Sequence, residues 1–444
     1  MPDTVTISVR AMTIESQSKT VKSDVSFVEF LVKETVTELK EVIVQAPKIR
    51  QLGDTIHYDV ASFIDETDRS IGDVLKKLPG VQVLSSGQIL YQNKAISKFY
   101  VEGLDLLKGK YGIATQNIDA KNVASVQVLE NHQPIKALKD MEIPEAAAIN
   151  LKLKQSALGA FFATAQAGAG LPSVLLSNEL VGMRFTSTQQ NMAVYKGDNT
   201  GRDIAQELIS FYGGSYDTTM DFMNVVAPSP PSINRQHFLF NDAHLGSLND
   251  LRTLKKNLTL TTNVNYLFDN QKSDSYARRD IIIENGENIR IEEDMNSRLL
   301  KRELEGAITL EGNTDDYFLN NKVNVSAKWN DESGDVRAGQ DVLQRLALPS
   351  LHAANSFEYL RRTGKRRLRL QSDISYTTQD NQLRVKPSLF GNLSGNPVET
   401  DSSLMQAVSY NRFATNTSAS GSIEGKVSFW YSGGVFTNHR FTKA

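Results

Sequence analysis

Between Leu254 and Phe268 the chain alternates apolar and polar residues. Leu254, Leu258, Leu260, Val264, Tyr266 and Phe268 share one parity, and Lys255, Asn257, Thr259, Thr261, Asn263 and Asn265 share the other. Successive side chains of a strand point to opposite faces, so this stretch predicts a strand with one greasy and one wet face. Its length exceeds the usual strand of about 5–6 residues and the roughly 9–11 residues that a tilted membrane strand needs. The pattern returns in Leu304, Gly306, Ile308 and Leu310 against Glu303, Glu305, Thr309 and Glu311. After the turn residues 312–316 it returns in Tyr317, Leu319, Val323, Val325, Ala327 and Trp329 against Asn320, Lys322, Asn324, Ser326 and Lys328. It recurs in Leu368, Leu370, Ile374 and Tyr376, and in Phe161, Ala163, Ala165, Ala167 and Ala169. A soluble sandwich or propeller with one solvated face accounts for the alternation; an antiparallel barrel wall, apolar outside and polar inside, accounts for the length as well. Phe268, Tyr317 and Trp329 are placed near strand ends on this reading.

Charge and cysteine content narrow the function classes. With 49 basic and 51 acidic residues the net charge is −2, and no global field points to nucleic acid or an anionic surface. The absence of cysteine excludes disulfides, thiolate metal sites and cysteine nucleophiles. No stretch approaches the roughly 18 apolar residues of a spanning helix, a criterion that does not bear on barrels. The N-terminus carries no basic region followed by an apolar one, so the reading expects no signal peptide in this chain.

The chain upstream of the long strands is of a different kind. In residues 1–38, Val5–Val9 and Val25–Val32 alternate and predict the last strands of a small β-sandwich. Residues 39–154 hold short mixed elements. Ser70 and Asp73 stand in capping-box spacing, Ile71, Val74, Leu75 and Leu78 fall at i, i+3, i+4 and i+7, and Pro79-Gly80 stops the helix before a strand through Val81 and Val83. Further strands are expected at Ile89 and Tyr91, from Ile96 to Val101, from Asn122 to Leu129, and from Ala146 to Leu153. The fold class is therefore mostly β: remnant sandwich strands (1–38), a small α/β domain (39–154) and part of an antiparallel transmembrane barrel (155–444).

Four segments carry a family resemblance: Leu39 to Pro47 (LKEVIVQAP), Ser70 to Val83 (SIGDVLKKLPGVQV), Phe99 to Gly103 (FYVEG) and Asn122 to Glu130 (NVASVQVLE). In order and spacing they resemble the plug domains of TonB-dependent outer-membrane receptors, those of Bacteroidetes in particular, where a carboxypeptidase-regulatory-like sandwich precedes the plug. The resemblance reaches from the start to about residue 200. It implies energised nutrient uptake across the outer membrane, with the energy-coupling protein TonB and the membrane lipids as partners and a surface lipoprotein as a further partner. TonB would add a strand to an extended segment before the plug, matched here by Glu41, Val42, Ile43, Val44 and Gln45. The same residues also read as a linker strand. The family uses 22 strands where this chain is expected to supply about 11 to 14, and the chain departs further in lacking a signal and the early sandwich strands. It is read as truncated at both ends, and as given it is not expected to insert or transport, since open edges in lipid cost several kcal/mol per unpaired group.

No constellation for catalysis stands out, and no cofactor or metal is expected. The six histidines show neither HxxE nor HExxH spacing, and His57 and His132 read as plug hydrogen-bonding residues. Gly168-Ala-Gly170 opens no helix, and Glu292-Glu293 reads as solvated charge. The segment 198–234 is too long and mixed for a hairpin turn, and Tyr212, Tyr216 and Phe222 are its candidate ligand contacts; a plug-covering loop is the other reading. Two rivals stand beside the transporter: a surface or adhesion protein with the same plug and barrel, and a secreted soluble β-rich binding module. A charge at a wall position such as Leu260 separates the last, because it costs about 2–4 kcal/mol at the bilayer midplane.

Overall fold

In the computed structural model, residues 3–11, 13–34, 47–139, 141–142, 144, 146–171, 173–212, 219–282, 288–338, 340–386, 403–423 and 428–444 are described. The chain divides into two units, Met1–Pro47 and Lys48–Ala444. In the first, β1 (Thr4–Ala11) and β2 (Ile14–Lys22) form an antiparallel hairpin whose register shifts between Val9 and Ala11. The second strand is thus not Val25–Val32. That stretch runs beside β2, with Lys19 Nζ donating to the Glu29 carbonyl at 2.7 Å and Gln17 Nε2 to the Leu31 carbonyl at 2.9 Å. Apolar alternation missed β2 because polar cross-strand pairs hold it to β1, Thr6 with Thr20 at 2.9 Å and Ser8 with Ser18 at 2.8 Å.

The second unit begins with a five-stranded sheet. Its strands are β3 (Ile49–Leu52), β4 (Thr55–Asp59), β8 (Lys98–Val101), β9 (Val123–Leu129) and β10 (Ala148–Leu153), in the order β3-β4-β9-β10-β8, antiparallel except for the β10–β8 pair. The short strands β5 (Val81–Val83), β6 (Ile89–Tyr91) and β7 (Lys94–Ala95) form a separate meander. Helix α1 (Ile71–Leu75) starts where the capping signal puts it: the Ser70 N–H and hydroxyl both donate to Asp73 Oδ2, at 3.2 and 3.1 Å. Ile71, Val74, Leu75 and Leu78 are all buried, and Gly80, at φ 80°, makes the turn into β5. Lys77 reaches back to Asp68 at 2.6 Å. Burial pushes the Asp68 carboxyl up, but its hydrogen bonds to Lys77 and to the backbone of Asp65 leave it below the usual carboxylate range. The second helix, α2 (Gly112–Asn117), packs beside α1.

Eleven antiparallel strands follow, each paired with its sequence neighbour: β11 (Phe161–Gly170), β12 (Leu175–Phe185), β13 (Gln189–Asp198), β14 (Phe240–Lys255), β15 (Leu258–Ile281), β16 (Ile289–Asn313), β17 (Tyr317–Ala338), β18 (Gln340–Thr363), β19 (Arg366–Lys386), β20 (Leu404–Ile423) and β21 (Phe429–Lys443). The run Leu254 to Phe268 is therefore two strands. A turn at Lys256 and Asn257, the latter at φ 65°, ends β14, and β15 then continues well past Phe268. Asparagine tolerates that left-handed conformation better than most residues, a signal the alternation on either side conceals. Likewise Phe268 and Trp329 are not at strand ends, because β15 and β17 run on to Ile281 and Ala338.

Polarity across this sheet is inverted relative to a soluble protein. Thr261 is 0% exposed and Asn265 3%, whereas Ile308 is 52% exposed and Trp329 47%. The polar face turns inward and its groups are used there: Ser247 Oγ donates to Asn265 Oδ1 at 2.7 Å, Asn249 Nδ2 to Ser247 Oγ at 2.9 Å, and Asn263 Nδ2 to Asn249 Oδ1 at 2.7 Å. The sheet wraps the small domain. Gln190 Nε2 on β13 donates to the Val101 carbonyl at 2.7 Å, and Asn263 Nδ2 on β15 to the Leu106 carbonyl at 3.0 Å. Among the described residues the connections at one end of the sheet are tight turns at 186–188, 256–257, 314–316 and 364–365, whereas the long connection from β13 to β14 lies at the other. The tight turns grip the small domain from below. Asn313 Nδ2 donates to the Pro134 carbonyl at 2.7 Å, the Lys136 N–H to Asn313 Oδ1 at 2.9 Å, and Arg367 pairs with Glu142 at 2.5 Å.

Candidate functional site: the lumen cavity

The exposed apolar face forms a belt beside the tight-turn end. On β17 it runs from Tyr317 through Leu319, Val323 and Val325 to Trp329, and on β15 from Leu258 through Leu260, Val264 and Tyr266 to Phe268. Tyr317 stands 6.5 Å from Tyr359 at the turn end of this belt, while Phe268, Trp329 and Tyr376 mark its other side. At about 3.3 Å per residue and a tilt of about 40°, the span from Tyr317 to Trp329 rises on the order of 30 Å. Beyond it the outward residues turn polar, as at Lys272 and Asp274.

On the inner side of the same strands lies a cavity of about 900 Å³, bounded by the small domain, the segment Asp203–Tyr212 and strands β15 to β18. Two lysines of the small domain define its floor. Lys108 pairs with Glu311 at 2.7 Å and Lys110 pairs with Glu305, so a single loop is fastened to one column of carboxylates on β16. Burial pushes Lys108 down, but the charges of Glu311 and Asp105 win and hold its ammonium above the ordinary lysine range. Between them, Gly109 adopts φ 103°, and a Cβ there would stand 2.6 Å from Ser210 Oγ and 3.0 Å from Tyr212 Cγ. Only glycine admits that approach, and the Phe211 N–H donates to the Gly109 carbonyl at 3.1 Å.

Tyr212 thus points inward. Its hydroxyl accepts from the Phe99 N–H at 2.6 Å and lies 3.3 Å from Asp105 Oδ1, and Lys98 Nζ stands 4.4 Å above its ring. Burial, with the Asp105 charge second, pushes its phenol well up, so it stays protonated. Phe211 stacks on Tyr111 at 4.8 Å. Phe222 is elsewhere: it packs on Tyr410 at 5.5 Å beside a cluster of Met223, Leu346 and Val408 against β18 and β20. Residues 220–226 therefore lie within the wrap of the sheet, where the Val226 N–H donates to Gln344 Oε1 at 2.7 Å and the Met220 N–H to Gln379 Oε1 at 2.9 Å. Of the sequence-selected residues, Tyr212 lines the cavity and Phe222 does not; Tyr216 and Glu41, Val42, Ile43, Val44 and Gln45 lie outside the described residues. His57 and His132 each have a partner in the small domain, Gln127 at 3.3 Å and Tyr100 at 3.1 Å. Sequence reasoning passed over Lys98, Lys108 and Lys110. The inward parity of Glu305, Glu311, Lys322 and Lys328 was visible, but which of them faces a loop of the small domain was not.

No family model matches the chain, and no curated protein does. Solved structures similar to it include the siderophore receptor PiuA from Acinetobacter baumannii, at 11% identity and a TM-score of 0.31 over 87% of this chain and 61% of that one. Another is the pyoverdine outer membrane receptor FpvA from Pseudomonas aeruginosa PAO1 bound to pyoverdine, at 15% identity and a TM-score of 0.28 over 87% and 57%. A third is BauA, the ferric preacinetobactin receptor from Acinetobacter baumannii, at 12% identity and a TM-score of 0.31 over 87% and 60%. The chain spans less than two thirds of the length of each of these three.

Proposed function

We propose that this chain is the plug and part of the wall of a TonB-dependent outer-membrane receptor of the Bacteroidetes kind, whose work is uptake of a nutrient. One observation carries the reading: the outward face is an apolar belt of membrane height bordered by aromatics, while the inward face is polar and buried on a small α/β domain. A secreted module would have the reverse polarity. The wall has two unpaired edges, β11 and β21, among the described residues, so transport belongs to a wall that is closed by further strands. Residues 1–38 are assigned to the sandwich that precedes such plugs. In this role residues 41–45 receive TonB by strand addition, and residues 203–212 seat on the plug from the side where ligand arrives. Capture of the chain by immobilised TonB tests the coupling. The account expects Val42→Pro, which removes a backbone donor, to abolish capture. Capture that is unchanged by Val42→Pro, or absent from the unaltered chain, would contradict it and favour a non-transporting surface protein.

A further inference from the structure

The lumen cavity has a sign. Its lining includes Lys98, Lys108, Lys110, Lys301, Lys322 and Lys328. With Arg235 the cationic side chains number seven among the described lining residues, against the four carboxylates of Asp203, Glu303, Glu305 and Glu311. That excess contrasts with the chain as a whole, whose net charge is −2. The lining is also unlike an apolar pocket: Tyr212 and Phe318 are its phenyl-ring members, and between the charged residues of the wall side stand asparagines, Thr309 and Ser326. Two buried polar atoms on that wall, Thr309 Oγ1 and Asn324 Oδ1, have no hydrogen-bond partner within the described chain, and both residues are more than nine-tenths buried. Left this way each costs about 1–3 kcal/mol; the Thr309 hydroxyl can donate to an anion, whereas the Asn324 oxygen only accepts.

We propose that this cavity binds a polyanionic small molecule, and that the anion competes with Glu305 and Glu311 for Lys110 and Lys108. This inference rests on the receptor reading, since it assigns the ligand class to the lumen of that receptor. The arrangement makes anion binding and the breaking of these two ion pairs one event. Lys108 and Lys110 are the charged fastenings of their loop to β16, and an anion that takes them over loosens that hold, leaving the Asn263–Leu106 hydrogen bond. The competing carboxylates give the inference its test, because their removal has opposite effects for opposite ligand charges.

The measurement is isothermal titration of the detergent-solubilised full chain with tricarballylate, a trianion, alongside the trication spermidine and the neutral sugar trehalose. The expected result is saturable binding of tricarballylate alone, weakened by added salt. Glu305→Gln with Glu311→Gln should tighten it by about tenfold, the scale of one charge-assisted hydrogen bond. Lys322→Gln with Lys328→Gln, which leaves the plug fastenings intact, should weaken it by a similar factor. Binding of spermidine or trehalose in its place, no saturable tricarballylate binding, or a glutamine double variant that binds tricarballylate no better, would overturn the proposal. TonB is absent from this assay, so loss of TonB capture with anion binding intact would sink the receptor reading and not the ligand class.

Discussion

Lys196 is among the largest side chains the fold encloses, with 2% of it exposed. Its ammonium lies 2.8 Å from Glu207 Oε1 and 3.3 Å from Glu179 Oε2, and Glu207 Oε2 accepts from Asn117 Nδ2 at 3.2 Å. One buried carboxylate thereby joins β13, the inserted segment and α2. Removing the cation leaves Glu179 and Glu207 with the more exposed Arg202, 3.3 Å from Glu207 Oε1, as their remaining cationic partner, so Lys196→Met is expected to cost about 3 kcal/mol, read as a lower urea midpoint at constant slope. Adding Glu207→Leu should recover part of the loss, since it removes the more deeply buried of the two carboxylates and leaves Arg202 to pair with Glu179. His132 makes a second prediction at this scale. Burial, with Lys98 next, holds its imidazole below the ordinary 6.5. The unfolded chain therefore takes up that proton first. The stability His132 contributes is complete above about pH 6.5 and declines as pH falls through the lowered folded value. In His132→Phe, which keeps a ring against Tyr100, unfolding midpoints should depend less on pH in that window; an unchanged pH profile would refute the role.

At the level of elements, the loop from Lys108 to Lys110 is the joint between small domain and wall. Gly109→Ala forces a side chain into Ser210 and Tyr212 at a left-handed φ, and should lower stability by about 1–2 kcal/mol while exposing the segment 199–239 to limited proteolysis. Unchanged cleavage there would show that Gly109 does not hold the segment. The start and the buried face of helix α1 were legible because their signals, a capping pair and an apolar face, are local; its expected extent to Leu78 was not, since the helix ends at Leu75 and turns carry the chain on to Gly80. The faces of the long strands were legible for the same reason, since a period of two needs no tertiary information. What the sequence hid was non-local or silent. The turn at Lys256 and Asn257 interrupts no alternation, the strand β2 has no apolar face, and Tyr212 turns inward because of Phe99 and Asp105, more than a hundred residues away in the chain.

Over the whole molecule the account comes down to which side of the wall meets lipid. In the closed receptor an arginine at mid-belt, Val323→Arg, should cost about 2–4 kcal/mol of stability in a bilayer, measured by urea titration in lipid vesicles, and close to nothing if that face meets water. The same question has a direct answer in accessibility. The chain has no cysteine, so single cysteines can be read without background. Residues 317–329 of β17 are replaced one at a time, labelled with a fluorophore in outer membranes holding the closed receptor, and exposed to a quencher dissolved in the lipid. The account predicts a strict period of two, with Val323→Cys and Val325→Cys quenched and Asn324→Cys and Ser326→Cys protected. Equal quenching at both parities, or quenching of all positions by a water-soluble agent instead, would contradict a membrane wall around a buried plug.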